Sequence, residues 1–90
     1  MVIKFKIIAT AVYLKEVKKL LRSDKSLENK LSRAAGKLEE DPFQGERIEG
    51  GLQLGERRIW VGDSHRLFYD IDSQNVVLLH IKKKDKHTYR

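Results

Sequence analysis

Hydrophobic and polar positions alternate at the start of the chain, where VIKFKIIA (residues 2–9) sets apolar residues against lysines before turning continuously apolar. A repeat of two predicts a β-strand with one face buried. Thr10 then offers a helix N-cap, and the period changes. Over residues 11–22, Tyr13, Leu14, Val17, Leu20 and Leu21 fall on one helical face while Lys15, Lys18, Lys19 and Arg22 take the other, which predicts an amphipathic helix. SDKS (residues 23–26) is a polar break that supplies a second cap, Ser23 or Ser26. Beyond it Leu27, Leu31, Ala34 and Leu38 recur at spacings of four, three and four, predicting a second helix whose narrow stripe can pack antiparallel against the first. The hairpin ends at EEDPFQG, because Pro42 pushes Asp41 out of the α region and Gly45 is free to turn.

The remainder reads as a β-meander. A short segment near Arg47 and Ile48 precedes GLQLGERRIWVG, SHRLFYDI and NVVLLHIK, each bounded by Gly, Asp, Ser or Asn. The expected architecture is a single α+β domain over residues 1–90. It has an N-terminal strand and an antiparallel two-helix hairpin packed on one face of a three- to four-stranded antiparallel sheet. Strict alternation places Ile59, Val61, Leu67, Tyr69, Ile71, Val77, Leu79 and Ile81 under the helices. It leaves Arg58, Trp60, Arg66, Phe68, Leu78, His80 and Lys82 on the opposite face. Large apolar groups mixed with arginines on a solvent-facing surface mark a binding surface.

Composition narrows the class. Ninety residues without a cysteine exclude a disulfide framework and a thiolate metal site. No stretch approaches the roughly 20 apolar residues of a membrane helix, so a soluble, cytoplasmic protein with no membrane partner is expected. The net charge of +6 is unevenly distributed. Residues 1–41 and 82–90 each carry an excess of four positive charges, whereas residues 42–81 carry a net charge of −2. Such a field suits a polyanionic partner, nucleic acid before an acidic protein.

The chemistry follows from the cations. Arg57, Arg58 and Arg66 flank neighbouring strands, and Lys82, Lys83 and Lys84 leave the last strand near Arg66. A phosphate placed there meets several cations, an arrangement suited to RNA cleavage by a ribose 2′-hydroxyl on its own phosphate. That reaction needs a group to take a proton, cations for the developing phosphorane charge and a donor for the leaving oxygen. Tyr89, His87, Lys83 and Lys84 are candidates for proton transfer, and the arginines for bidentate charge stabilisation. Trp60, Phe68, Lys82, Lys86, His87 and Arg57 are candidates for substrate binding. Each has a plainer reading: the lysine run as a solvated tail, Tyr89 as a packing cap, His65 as a core residue, His80 as a surface strand residue. No metal-ligand spacing, phosphate-cradling Gly-rich loop or Ser nucleophile motif occurs, and no metal or cofactor is expected.

The order DPFQGERIEG, RRIWVGDSHRLFYDID, NVVLLHI and KKKDKHTY resembles the RelE/ParE superfamily of toxins from type II toxin–antitoxin pairs. HRLFYDI is the most specific element, and the resemblance covers nearly the whole chain. It implies a RelE-like fold and, in the RelE-like branch, a ribosome-dependent endoribonuclease that cuts mRNA in the A site without metal. An antitoxin that wraps the toxin in a hetero-oligomer inhibits it. Carried over by position, the catalytic set is Arg66 for the scissile phosphate, Arg58 on the preceding strand, Lys83 or Lys84 for a C-terminal arginine, and Tyr89 for proton transfer or stacking. Departures from the pattern are the lysine in place of that arginine, a shorter connection from Arg66 to Tyr89, and Trp60 where a basic residue is expected. ParE-like members, which poison DNA gyrase, offer the alternative function, and a degenerate toxin that keeps antitoxin binding a further one. The antitoxin is expected to lay an acidic amphipathic helix over the Trp60 and Phe68 patch or the basic hairpin.

Overall fold

The structure is a computed structural model that describes residues 4–48 and 56–84. Strand β1 (Lys6–Ala9) leads into helices α1 (Ala11–Leu21) and α2 (Leu27–Glu40), followed by a single 3-10 turn (Pro42–Gln44). Strands β2 (Glu46–Arg47), β3 (Arg57–Val61), β4 (His65–Asp72) and β5 (Asn75–Lys83) complete the chain order. The expected strand over residues 2–9 starts at Lys6, with residues 1–3 outside the described residues, as is GLQLG (residues 51–55). No helix among the described residues is long and apolar enough to cross a membrane.

Side-chain chemistry sets the start of α1 and the end of α2. Thr10 caps α1, its hydroxyl oxygen accepting from the Tyr13 N–H at 3.2 Å. Ser26 holds the N-cap position of α2 but does not cap it; its hydroxyl donates to Asp24 at 2.5 Å, and the same carboxylate accepts from the Ser26 N–H. Asp41 ends α2 and accepts from the Phe43 N–H, starting the turn that Pro42 imposes.

The sheet has the order β1-β5-β4-β3-β2. Its β2 to β5 portion is the expected meander, but β1 pairs with β5 in parallel, so the sheet is mixed rather than antiparallel. Turn signals fix only the pairing of consecutive strands. The partner of β1 lies some seventy residues away, with Ile7 opposite Val76, and no local pattern records it.

Leu27, Leu31, Ala34 and Leu38 of α2, with Tyr13 of α1, are buried against Val61, Leu67, Tyr69, Val76, Leu78 and Ile81. Three expected core positions, Leu14, Val77 and Leu79, move. Leu14 is 55% exposed, because successive helical residues are rotated by roughly 100° and Tyr13 already faces the sheet. In β5, Phe68 pairs with His80 while Tyr69 pairs with Leu78, which makes Leu79 the extra residue of a β-bulge. The bulge reverses the parity of β5. Val76 and Leu78 enter the core on one side of it and Ile81 on the other, while Val77 and Leu79 stay half-buried. His80 and Lys82 keep the open face that alternation assigns them.

Where β1 ends, α1 takes over the outer edge of β5. The Thr10 N–H and hydroxyl both donate to the Leu78 carbonyl, at 3.2 and 2.7 Å. Farther along, the Ile81 N–H donates to Glu16 of α1 at 3.2 Å. A backbone donor that a neighbouring strand would otherwise satisfy is thus answered by a helix side chain.

Candidate active site

Register assembles the open face into two rows. Trp60 of β3, Arg66 of β4 and Lys82 of β5 are directly opposed, and Arg58, Phe68 and His80 form the next row. Directly opposed side chains in antiparallel strands have Cβ atoms about 4.5–5.5 Å apart. The Arg66 guanidinium lies 4.8 Å from the centre of the Trp60 ring, and the Lys84 ammonium lies 5.4 Å from it. One indole, itself 49% exposed, therefore gathers two cations beside a third. Attraction to the ring offsets part of their mutual repulsion, and an anion bridging them gains from all three.

Arg58 meets Glu46 at 3.4 Å, but the Glu46 side chain is largely exposed, so solvent screens the pair and Arg58 can turn to a stronger anion at little cost. An open groove of ≈ 450 Å³ runs past Arg58, Trp60 and Arg66 toward Gly45 and Lys37. A shallower one of ≈ 170 Å³ is lined by Glu56, Phe68, His80 and Lys82. Among the described residues no three His, Asp or Glu side chains gather as a metal site.

The remaining candidates divide. Lys84 joins Trp60 on the open face, and its N–H donates to Ser64 at 2.6 Å. Lys83 has the opposite parity, opposed to buried His65. Arg57 is held apart from Arg58: its guanidinium donates to the carbonyls of Phe43 and Gly45, at 3.2 and 2.9 Å, and lies 5.6 Å from the Phe43 ring. It ties the turn after α2 to the sheet. Lys86, His87 and Tyr89 lie outside the described residues.

One residue of this surface has no counterpart in the sequence reading. Glu16 reaches from α1 to β5, where one oxygen accepts from the Ile81 N–H and meets His80 Nδ1 at 3.1 Å, and the other pairs with Lys82. Burial alone raises its pKa, yet hydrogen bonds from Lys82, the Ile81 N–H and His80 together hold the carboxyl below its ordinary value. In sequence Glu16 looks like one more charge among lysines. Its position three residues after Tyr13 and four before Leu20, along the apolar stripe, is the signal that it points inward.

The family model for the ParE toxin of the type II toxin–antitoxin system parDE matches residues 7–87. No curated protein matches the chain in sequence. In fold the chain is similar to the toxin–antitoxin complex RelBE2 from Mycobacterium tuberculosis, with a TM-score of 0.77 and 23% identity over 93% of this chain and 95% of that one. It is similar to a YoeB/ParE toxin from Agrobacterium tumefaciens, with a TM-score of 0.73 and 17% identity over 89% and 99% of the two chains. YafQ from E. coli superposes with a TM-score of 0.71 and 16% identity over 90% and 94%.

Proposed function

Since the chain belongs to the RelE/ParE superfamily of toxins from type II toxin–antitoxin systems, we propose that its open sheet face cleaves mRNA in the ribosomal A site. The observation that carries this reading is the gathering of Arg66 and Lys84 on Trp60, beside Lys82. In the reaction the ribose 2′-oxygen bonds to the adjacent phosphorus as the bond to the 5′-oxygen breaks, leaving a 2′,3′-cyclic phosphate and a 5′-hydroxyl. Arg66, Arg58 and Lys84 take up the charge on the phosphorane oxygens. Trp60 and Phe68 stack on bases, and Lys82, Lys83 and Lys86 attract the backbone. His87 and Tyr89 move protons, Tyr89 acting as an acid because the unperturbed phenol titrates near 10. A cognate antitoxin with an acidic, amphipathic helical segment covers this surface in a hetero-oligomer and neutralises its field.

The test is toeprinting of the purified protein on ribosomes programmed with a defined message, beside a no-ribosome control. Cleavage in the A-site codon is expected, and Arg66→Ala should lower its rate by about 10²–10³-fold while leaving antitoxin binding largely intact. Tyr89→Phe should cost about 10²–10⁴-fold if the hydroxyl donates a proton and little if the ring stacks. A second reading, inhibition of DNA gyrase, is favoured by the ParE description of the matching family. An intact message together with loss of gyrase supercoiling activity would establish it instead.

A further inference from the structure

His80 and Glu16 form a pair that the roles above leave unused. Glu16 Oε1 is fixed by the Ile81 N–H and lies 3.1 Å from His80 Nδ1, while Lys82 holds the second oxygen. A carboxylate so anchored accepts from the imidazole at Nδ1, which leaves Nε2 as the acceptor nitrogen. The ring lines the ≈ 170 Å³ groove with Phe68, Lys82 and Glu56. It is therefore reachable from solvent and has an aromatic face beside it. Because Arg66 opposes Lys82 and Phe68 opposes His80, His80 is the diagonal neighbour of Arg66, about 7–8 Å away and somewhat less between Cβ atoms. That separation spans a phosphate held at Arg66 and the 2′-hydroxyl next to it.

We infer that His80 is a catalytic residue, the general base that takes the ribose 2′-hydroxyl proton at Nε2, and that Glu16 is the positioning residue that holds its tautomer and ring. The inference rests on the nuclease reading. In the step the 2′-oxygen loses its proton to Nε2 and bonds to phosphorus, and the leaving 5′-oxygen takes a proton from Tyr89. The His80 imidazolium then donates from Nδ1 to Glu16 and returns its extra proton to water. Phe68 supplies a stacking face for the base 5′ of the cut, and Lys82 draws in the phosphate. Glu16 from α1, Lys82 from β5, Glu56 just before β3, Arg58 from β3 and Arg66 from β4 are the charged groups surrounding the ring.

A solvated histidine and an edge-capping glutamate would give the same fold with no such chemistry, so the test reads rate against pH. Single-turnover cleavage on programmed ribosomes is measured from about pH 5 to 8, the range in which imidazole titrates, for wild type, His80→Gln, His80→Ala and Glu16→Gln. Wild-type cleavage should rise with pH through one titration. His80→Gln should lose about 10²–10⁴-fold with unchanged half-saturation, and should lose that titration. Added imidazole should restore part of the rate of His80→Ala. Glu16→Gln keeps an acceptor for the Ile81 N–H, so it should fold, with a rate between those of wild type and His80→Gln. Wild-type cleavage that His80→Gln leaves unchanged in rate and pH profile overturns the His80 assignment and spares the nuclease. A message left intact by wild type overturns both.

Discussion

The Tyr69 hydroxyl joins the sheet to the turn that follows α2, donating to the Pro42 carbonyl at 2.6 Å from a fully buried position. A Cβ at Gly45 would collide with that hydroxyl, so the turn can close on Tyr69 only without a side chain there. Tyr69→Phe leaves the carbonyl unanswered and is expected to lower stability by about 1–3 kcal/mol, measured by urea unfolding. His65 makes a different kind of demand. It is 3% exposed, its Nδ1 has no partner among the described residues, and burial lowers its pKa from an ordinary value of 6.5, with Lys83 and Lys30 adding to the effect and Asp24 opposing it. The folded state then binds fewer protons than the unfolded chain as pH falls below 6.5. Stability is full above that value and declines toward the lower folded pKa. Melting across this range should show the decline, and His65→Phe should flatten it.

At the scale of elements, the strand ends show which local choices are relaxed. The turn between β4 and β5 has Ser73 at a φ of 57°, a conformation that costs an L-residue roughly 1–2 kcal/mol. Part of that returns as unfolded-state entropy, so Ser73→Gly should stabilise the hairpin by about 1 kcal/mol or less, read as a shift in denaturation midpoint. Most elements were legible because their signals are local: Thr10 before an amphipathic run, Pro42 after one, alternation in HRLFYDI. The rest depends on partners distant in sequence. Alternation carried across Leu79 puts Val77 in the core, since a bulge is a property of two strands in register and leaves no mark on one. Arg57 and Arg58 read alike as cations, yet one is committed to Phe43 and Gly45 and the other faces the groove. The lysine run reads as a unit, and only the pairing of Lys83 with His65 separates it from Lys84.

Among the described residues, two surfaces gather positive charge at the scale of the whole molecule: the outer side of α1 with Lys15, Lys18 and Lys19, and the open sheet face with Arg58, Arg66, Lys82 and Lys84. Salt dependence distinguishes them. Affinity for single-stranded RNA should fall with a log–log slope of about −0.7 for each neutralised phosphate. Arg66→Ala or Lys84→Ala should make that slope shallower by about 0.7, whereas Lys18→Ala with Lys19→Ala should leave it unchanged if the sheet face is the contact. The strand order has a consequence of its own. β5, the last of the described strands in chain order, lies between β1, the first, and β4, and it also supplies the backbone groups that anchor Thr10 and Glu16. During translation β1 therefore waits for it: a nascent chain that ends before Asn75 has no strand to join β1 to β4, and the sheet closes only once β5 is available.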